Sequence, residues 1–307
     1  MLKRKQVLLA KVETTYGTDS TPTAGDNAIL ALNPEIKTIT EPIERDIHIS
    51  TLSQEAAQEG LKYCEVTFQV EIKGSGSAGT APRLGALLKA CSTDETVVSG
   101  TSVTYQPVSS NQDSATLYLY IDGRRHIVTG AKGRVKITAT ANQIGLLDFT
   151  FQGIWNAPTA TAIVSGTYDS TTPQPCKDCS FSYNSKTTLV AKMVEIDLAN
   201  EIIMRENLNA TTGIEGFEVT KRKPMMTFDV EAQIWTSYDF RGDRFTNQRE
   251  VSFQIGSSAG NICTVTVPKY NITGIEYADA DGILIEKLTG ECVKDTTGDD
   301  ELTIVFT

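Results

Sequence analysis

Val66-Thr-Phe-Gln-Val-Glu-Ile72 places an apolar residue at every second position, with Thr67, Gln69, Glu71 and Lys73 on the alternate ones. Side chains along a strand alternate between two faces, so this run reads as a half-buried strand. A near copy, Met226-Thr-Phe-Asp-Val-Glu-Ala232, stands 160 residues later. The same offset lays Glu44-Arg-Asp46 over Met204-Arg-Glu206, Glu41 over Glu201, and Glu35-Ile36 over Glu195-Ile196. Separate segments held at one offset point to an internal repeat. The reading is two copies of one mostly-β domain, over 36–155 and 188–307, with an N-terminal extended arm over 1–35 and a linker over 156–187.

Further strands extend this pattern in both directions. Apolar residues alternate loosely from Ile36 to Ile49, and cleanly at Val135, Ile137 and Ala139 and at Leu147, Phe149 and Phe151. Asp122-Gly123, between two apolar runs, is a type I′ hairpin signal. In the second half Val190, Val194, Ile196 and Leu198 share one face, and Met226, Phe228, Val230, Ala232 and Ile234 another. Residues 82–91 carry Leu84, Leu87, Leu88 and Cys91 on one stripe and predict a short helix lying on a sheet. The second copy has no clear counterpart to it, because Ser237–Glu250 is charged, aromatic and interrupted by Gly242. Residues 13–35, rich in Thr, Gly, Asp and Pro, show no period and predict an arm with little of its own to bury.

Composition agrees with a β protein. The 307 residues include 40 Thr, whose branched side chains favour strands over helices. A formal charge of -10 is the opposite of what a surface built to grip a phosphate backbone carries. No apolar run is long enough for a membrane helix. The basic start Met1-Leu-Lys-Arg-Lys5 is followed by an apolar run that stops at Lys11, too short for a secretory signal, so a cytoplasmic site of synthesis is expected.

Motifs that could carry chemistry are sparse. Gly74-Ser-Gly76-Ser-Ala-Gly79 fits a dinucleotide fingerprint in letters only. The strand before it alternates, whereas a Rossmann strand is buried on both faces, so a flexible loop is the better reading. Cys176-Lys-Asp-Cys179 lacks the following helix that would activate a redox thiol, and lacks partners for a zinc site. His48 and His126 are the only histidines, which leaves little room for acid-base work near neutrality. No catalytic residue, cofactor or metal site is expected.

Several stretches carry a resemblance. They are Ala10-Lys-Val-Glu-Thr-Thr-Tyr-Gly-Thr-Asp-Ser-Thr-Pro-Thr23, Ala28-Ile-Leu to Asn33-Pro-Glu, Glu44-Arg-Asp46, Val267-Pro-Lys to Ile275-Glu-Tyr, Asp281-Gly-Ile-Leu and Gly298-Asp-Asp-Glu-Leu-Thr-Ile-Val-Phe-Thr307. With them the chain resembles the major tail tube proteins of long-tailed, non-contractile (siphophage-like) bacteriophages, in their duplicated-domain form. The resemblance implies two tandem β-sandwich domains, each of two packed antiparallel sheets, with a short flanking helix at least in the first. It also implies trimeric, pseudo-hexameric rings stacked into a tube assembled in the host cytoplasm. The lumen would hold the tape measure protein and later pass double-stranded DNA without binding it, and tail-terminator and tail-tip proteins would close the ends. No membrane partner is implied.

Physical reasoning runs the same way. Exposed β edges attract partners, and a ring closes them. The polar faces of the two matching strands are then the candidate lumen lining: Thr67, Gln69, Glu71 and Lys73, with Thr227, Asp229, Glu231 and Gln233. Competing readings are another β-rich tail part, such as a minor tail or tail-terminator protein, and a β-rich hydrolase using carboxylates. The hydrolase would need a converging acid pair that no spacing identifies.

Overall fold

The computed structural model describes residues 2–234 and 238–307; Ser237, at the head of the divergent segment noted above, and Met1 lie outside them. The first half contributes β1 (Gln6–Val12), β2 (Ala28–Ile29), β3 (Ala31–Ile43), β4 (Gln58–Glu71) and α1 (Gly85–Lys89). It continues with β5 (Thr93–Val98), β6 (Ser102–Pro107), β7 (Ala115–Ile121), β8 (Arg124–Thr140) and β9 (Leu146–Ala160). The second half holds β10 (Ser180–Tyr183), β11 (Ala191–Asp197), β12 (Glu201–Glu206), β13 (Ile214–Lys221) and β14 (Met225–Glu231). It closes with α2 (Phe240–Asp243), β15 (Arg249–Ile255), β16 (Cys263–Ala280), β17 (Ile283–Cys292) and β18 (Thr303–Phe306). Strand makes up 53% of the chain and helix 3%, so the protein is mainly β, as its Thr content and alternation predict.

Every strand pairing is antiparallel. The first half pairs in the order β1-β7-β8-β9-β4-β3 and the second in the order β10-β15-β16-β17-β14-β11, the same sequence of partners. The halves join twice. Residues Lys136–Thr140 of β8 pair with Asp197–Met193 of β11, and β18 lies between β16 and β6. One hydrophobic core runs through both halves, from Leu8 through Phe68, Phe149 and Phe228 to Phe306. The β7–β8 turn has positive φ at both Asp122 and Gly123, as a type I′ hairpin requires. Leu84, Leu87, Leu88 and Cys91 bury the predicted stripe of α1 in the core.

Several expectations need correction. Val190 is exposed, because a bulge between Ala191 and Met193 breaks the alternation before β11 settles. Ile234 is exposed too, since β14 ends at Glu231. The stretch read as a linker holds strand at both ends: β9 runs on to Ala160, and β10 pairs with β15 and buries Phe181 and Tyr183. Its middle part covers the outer face of β1 and β7, where Ile163, Val164 and Tyr168 pack on Val7, Leu9, Tyr118 and Tyr120.

A one-turn helix, α2, does follow β14. It lacks a Leu stripe and is fixed instead by buried Phe240 and by Asp243, which accepts from Tyr183, Tyr238, Asn247 and Arg249. Burial pushes the Asp243 carboxyl up, but the hydrogen bonds from Arg249, Tyr238 and Asn247 outweigh it and hold the carboxyl below its usual range. The Gly74 loop is docked as well. A Cβ on Gly74 would lie 2.1 Å from the Gly260 carbonyl oxygen, so only glycine allows the two backbones to meet.

The largest departure concerns residues 13–27. The expected arm has two anchors that periodicity cannot show. Glu13 is buried, and its carboxylate accepts from Gly17 N at 2.8 Å, Ser114 Oγ at 2.6 Å, Thr116 Oγ1 at 2.8 Å and Gly130 N at 2.8 Å. The Tyr16 hydroxyl donates to the Gly130 carbonyl at 3.1 Å and accepts from Phe217 N at 2.6 Å. Burial pushes its pKa to about 12. Removing a buried hub with this many donors leaves each donor unsatisfied. Glu13→Ala should therefore lower stability by about 3 kcal/mol in urea unfolding. The same variant should lose hydrogen-exchange protection at the amides of Gly17 and Gly130, which the parent chain shows without any partner.

Candidate functional site

Eight strands form one unbroken series, β3-β4-β9-β8-β11-β14-β17-β16. Residues directly opposite in an antiparallel ladder share a face. Gln69 lies opposite Asp148, Asp148 opposite Lys136, and Lys136 opposite Asp197. In the next columns Glu195 lies opposite Thr227, and Thr227 opposite Thr289. Thr67, Gln69 and Glu71 therefore point to the same side of the sheet as Thr227, Asp229 and Glu231, and all six are partly exposed. The opposite side of these strands is the core, so the alternation at 66–72 and 226–232 leaves this polar face free of it.

The face is laced by polar pairs. Gln69 Nε2 donates to Asp148 Oδ1 at 2.5 Å, Lys136 Nζ meets Glu195 Oε2 at 2.8 Å, and Thr227 bonds Thr289 at 3.4 Å. Acids outnumber bases on it: Glu35, Glu65, Glu71, Asp148, Glu195, Asp197, Asp229, Glu231, Glu276 and Glu291 stand with Lys37, Lys132, Arg134, Lys136 and Lys287. One end is covered by the β12–β13 hairpin, where Glu218 pairs with buried Lys132 at 2.9 Å and the Phe217 ring lies tilted against Tyr63 with centroids 5.7 Å apart.

Two of the eight residues named from sequence depart from the set. Lys73 lies beyond the end of β4, where alternation lapses; it is buried and donates to the carbonyls of Asp169 at 3.0 Å and Thr171 at 3.3 Å. Gln233 lies beyond β14 and its amide turns back to the Glu231 carbonyl at 3.0 Å. Sequence reasoning missed the middle columns, Lys136, Asp148, Glu195 and Asp197. Their signal was present as the polar complement of Val135, Ile137, Phe149 and Ile196, but only the β8·β11 join places them between the two matching strands.

Burial pushes the Asp229 carboxyl up, with Lys287 and Lys192 opposing, and its Oδ1 has no hydrogen-bond partner. Cys176 and Cys179 lie in a loop. The Cys179 thiol is lowered to about 7 by a hydrogen bond with Cys176, whose own thiol is raised. His48 sits in the exposed 44–57 segment, and the His126 pKa is lowered by burial and by Arg124. Among the described residues no group of three or more His, Cys, Asp or Glu is placed to hold a metal.

A family model described as phage tail tube protein matches residues 3–289. No curated protein matches the chain.

The raised Asp229 carboxyl has a consequence for stability. Its folded-state pKa lies above the unfolded value, so the stability it contributes is present at low pH and lost as pH rises through the folded value. Asp229→Asn should remove that loss. Urea unfolding at pH 7 should show a gain of no more than about 1 kcal/mol, because the group is only partly buried, and a flatter pH dependence through the carboxylate range.

Proposed function

Because the chain belongs to the phage tail tube protein family, we propose that three copies close into a pseudo-hexameric ring and that rings stack into a siphophage-like tail tube that passes DNA at ejection. The protein is a structural component of the virion tail that oligomerises into a tube, and it is not an enzyme. The observation that carries the finer reading is the recurrence of one pairing order in each half, together with the offset of 160. A chain holding two copies of one unit, 36–155 with β1 and 188–307 with β10, supplies six units from three chains.

In this reading the polar face of the continuous sheet lines the lumen. Thr67, Gln69, Glu71, Thr227, Asp229 and Glu231 would repeat around it, and their surplus of carboxylates would keep the duplex from adhering to the wall. The tape measure protein would occupy the same space during assembly in the host cytoplasm, and tail-terminator and tail-tip proteins would bound the tube. Negative-stain microscopy of concentrated protein tests tube formation directly.

The lining is tested by Glu71→Lys with Glu231→Lys. Both side chains are partly exposed, so the variant should still form tubes. DNA delivery by phage carrying it should slow, most at low salt, since charges are screened beyond about 8 Å at physiological ionic strength. Unchanged delivery through intact tubes would reject this face as the lining.

A further inference from the structure

The join between the halves is a template for the join between chains. Within the chain, β8 residues Lys136, Ile137 and Thr138 pair with β11 residues Asp197, Ile196 and Glu195. At the offset of 160, the β11 residues correspond to Lys37, Ile36 and Glu35 of β3. Both sets face matching partners, Glu65, Val66 and Thr67 on β4 and Met225, Met226 and Thr227 on β14. By ladder position rather than by that offset, the β8 residues correspond to Glu276, Tyr277 and Ala278 of β16. Lys136 sits across Asp148 from Gln69, and Glu276 sits across Lys287 from Asp229, again the same place.

Both strands are open where this template would use them. Among the described residues β3 pairs only with β4, and Glu276–Ala280 of β16 pair only with β17. A groove of about 420 Å³ separates Glu35, Ile36 and Lys37 from Lys3, Gln6 and Ile121. Tyr277 is 56% exposed, whereas Ile137, its counterpart at the internal join, is 1% exposed.

A second observation points to the same partner. The β12–β13 hairpin of the second half packs onto the first half through Phe217 and Glu218. Its counterpart at the offset of 160 is the hairpin formed by the ends of β3 and β4. There residues 44–57 are all exposed, Ile47, Ile49 and Leu52 among them. One hairpin is docked, and among the described residues nothing covers the other.

We propose that β16 of one chain pairs antiparallel with β3 of a second copy, setting Glu276 opposite Lys37, Tyr277 opposite Ile36 and Ala278 opposite Glu35, while the second copy's 41–60 hairpin covers the first copy's second half. This inference rests on the ring-forming reading above and specifies its interface. The directly opposite charges fit: Lys136 opposite Asp197 inside the chain becomes Glu276 opposite Lys37 between chains, whereas the ion pair that Lys136 makes at 2.8 Å runs to the diagonal Glu195, whose counterpart is Glu35. Among the described residues Lys37 is held only by an exposed contact with Glu65 at 3.8 Å, so it can turn to a stronger partner. Glu35, diagonal to Glu276 in this register, is already neutralised by Lys3 at 3.5 Å. Ile36 and Tyr277 would close the core at the seam, as Ile196 and Ile137 do internally.

The register is tested in the full chain, in a Cys179→Ser background. Glu35→Cys with Ala278→Cys should give disulfide-linked oligomers that close at three chains on mild oxidation. The out-of-register pair Glu35→Cys with Glu276→Cys should cross-link far less. Separately, Lys37→Glu or Glu276→Lys should raise the half-assembly concentration about tenfold or more, and the double reversal should restore it. Unchanged monomer unfolding checks that each variant folds. Tubes that assemble without in-register cross-links or charge-swap rescue overturn this pairing and leave the tube reading intact. A parent chain that forms neither rings nor tubes overturns both.

Discussion

The ladder between β8 and β11 is the contact on which the rest of the architecture depends. A β edge is a row of unsatisfied backbone donors and acceptors, and each half of this chain would present one there. Pairing Lys136–Thr140 with Met193–Asp197 satisfies both edges at once. It also brings Ile137 and Ile196 into one core, both essentially without exposure. The return of β18 to β6 joins the halves a second time. The chain is therefore held across its midpoint by two ladders whose partners are far apart in sequence.

That join turns two ordinary amphipathic strands into parts of one extended surface. Alternation alone sends Phe68 and Phe228 inward and Gln69 and Asp229 outward. Once β9, β8 and β11 lie between them, the outward residues form a single polar face eight strands wide. Its ion pairs, such as Lys136 with Glu195, run between neighbouring strands and leave a surplus of carboxylates. An antiparallel sheet with one face buried leaves its other face polar and free of the core without any dedicated binding residue.

The two hairpins show how the chain spends its polar and aromatic groups. The 201–221 hairpin is docked by Phe217, Glu218 and the Tyr16 hydroxyl, and the loop that carries Tyr16 is in turn held by Glu13. One cluster of buried hydrogen bonds thus fixes the N-terminal segment, β7, β8 and a hairpin from the other half. Among the described residues the matching hairpin at 41–60 has no such cluster beneath it, and it carries Ala57 and Gln58 where the docked hairpin carries Phe217 and Glu218.

The amino-acid sequence by itself determined the β character, the two matching strands, the short helix at 82–91 and the Asp122-Gly123 turn. Each is written in local signals, a period of two, an apolar stripe or a residue pair that tolerates positive φ. It also set the polar faces of 66–72 and 226–232, because alternation fixes which side chains oppose the core. Only tertiary structure decided that these faces belong to one sheet, that Lys73 leaves the set for the carbonyls of Asp169 and Thr171, and that Glu13 and Tyr16 anchor the expected arm. Those outcomes depend on which distant strands pair and which backbone donors lie within reach. A single buried carboxylate surrounded by donors has no sequence period, so its role appears only when residues 13, 114, 116 and 130 are brought together by the fold.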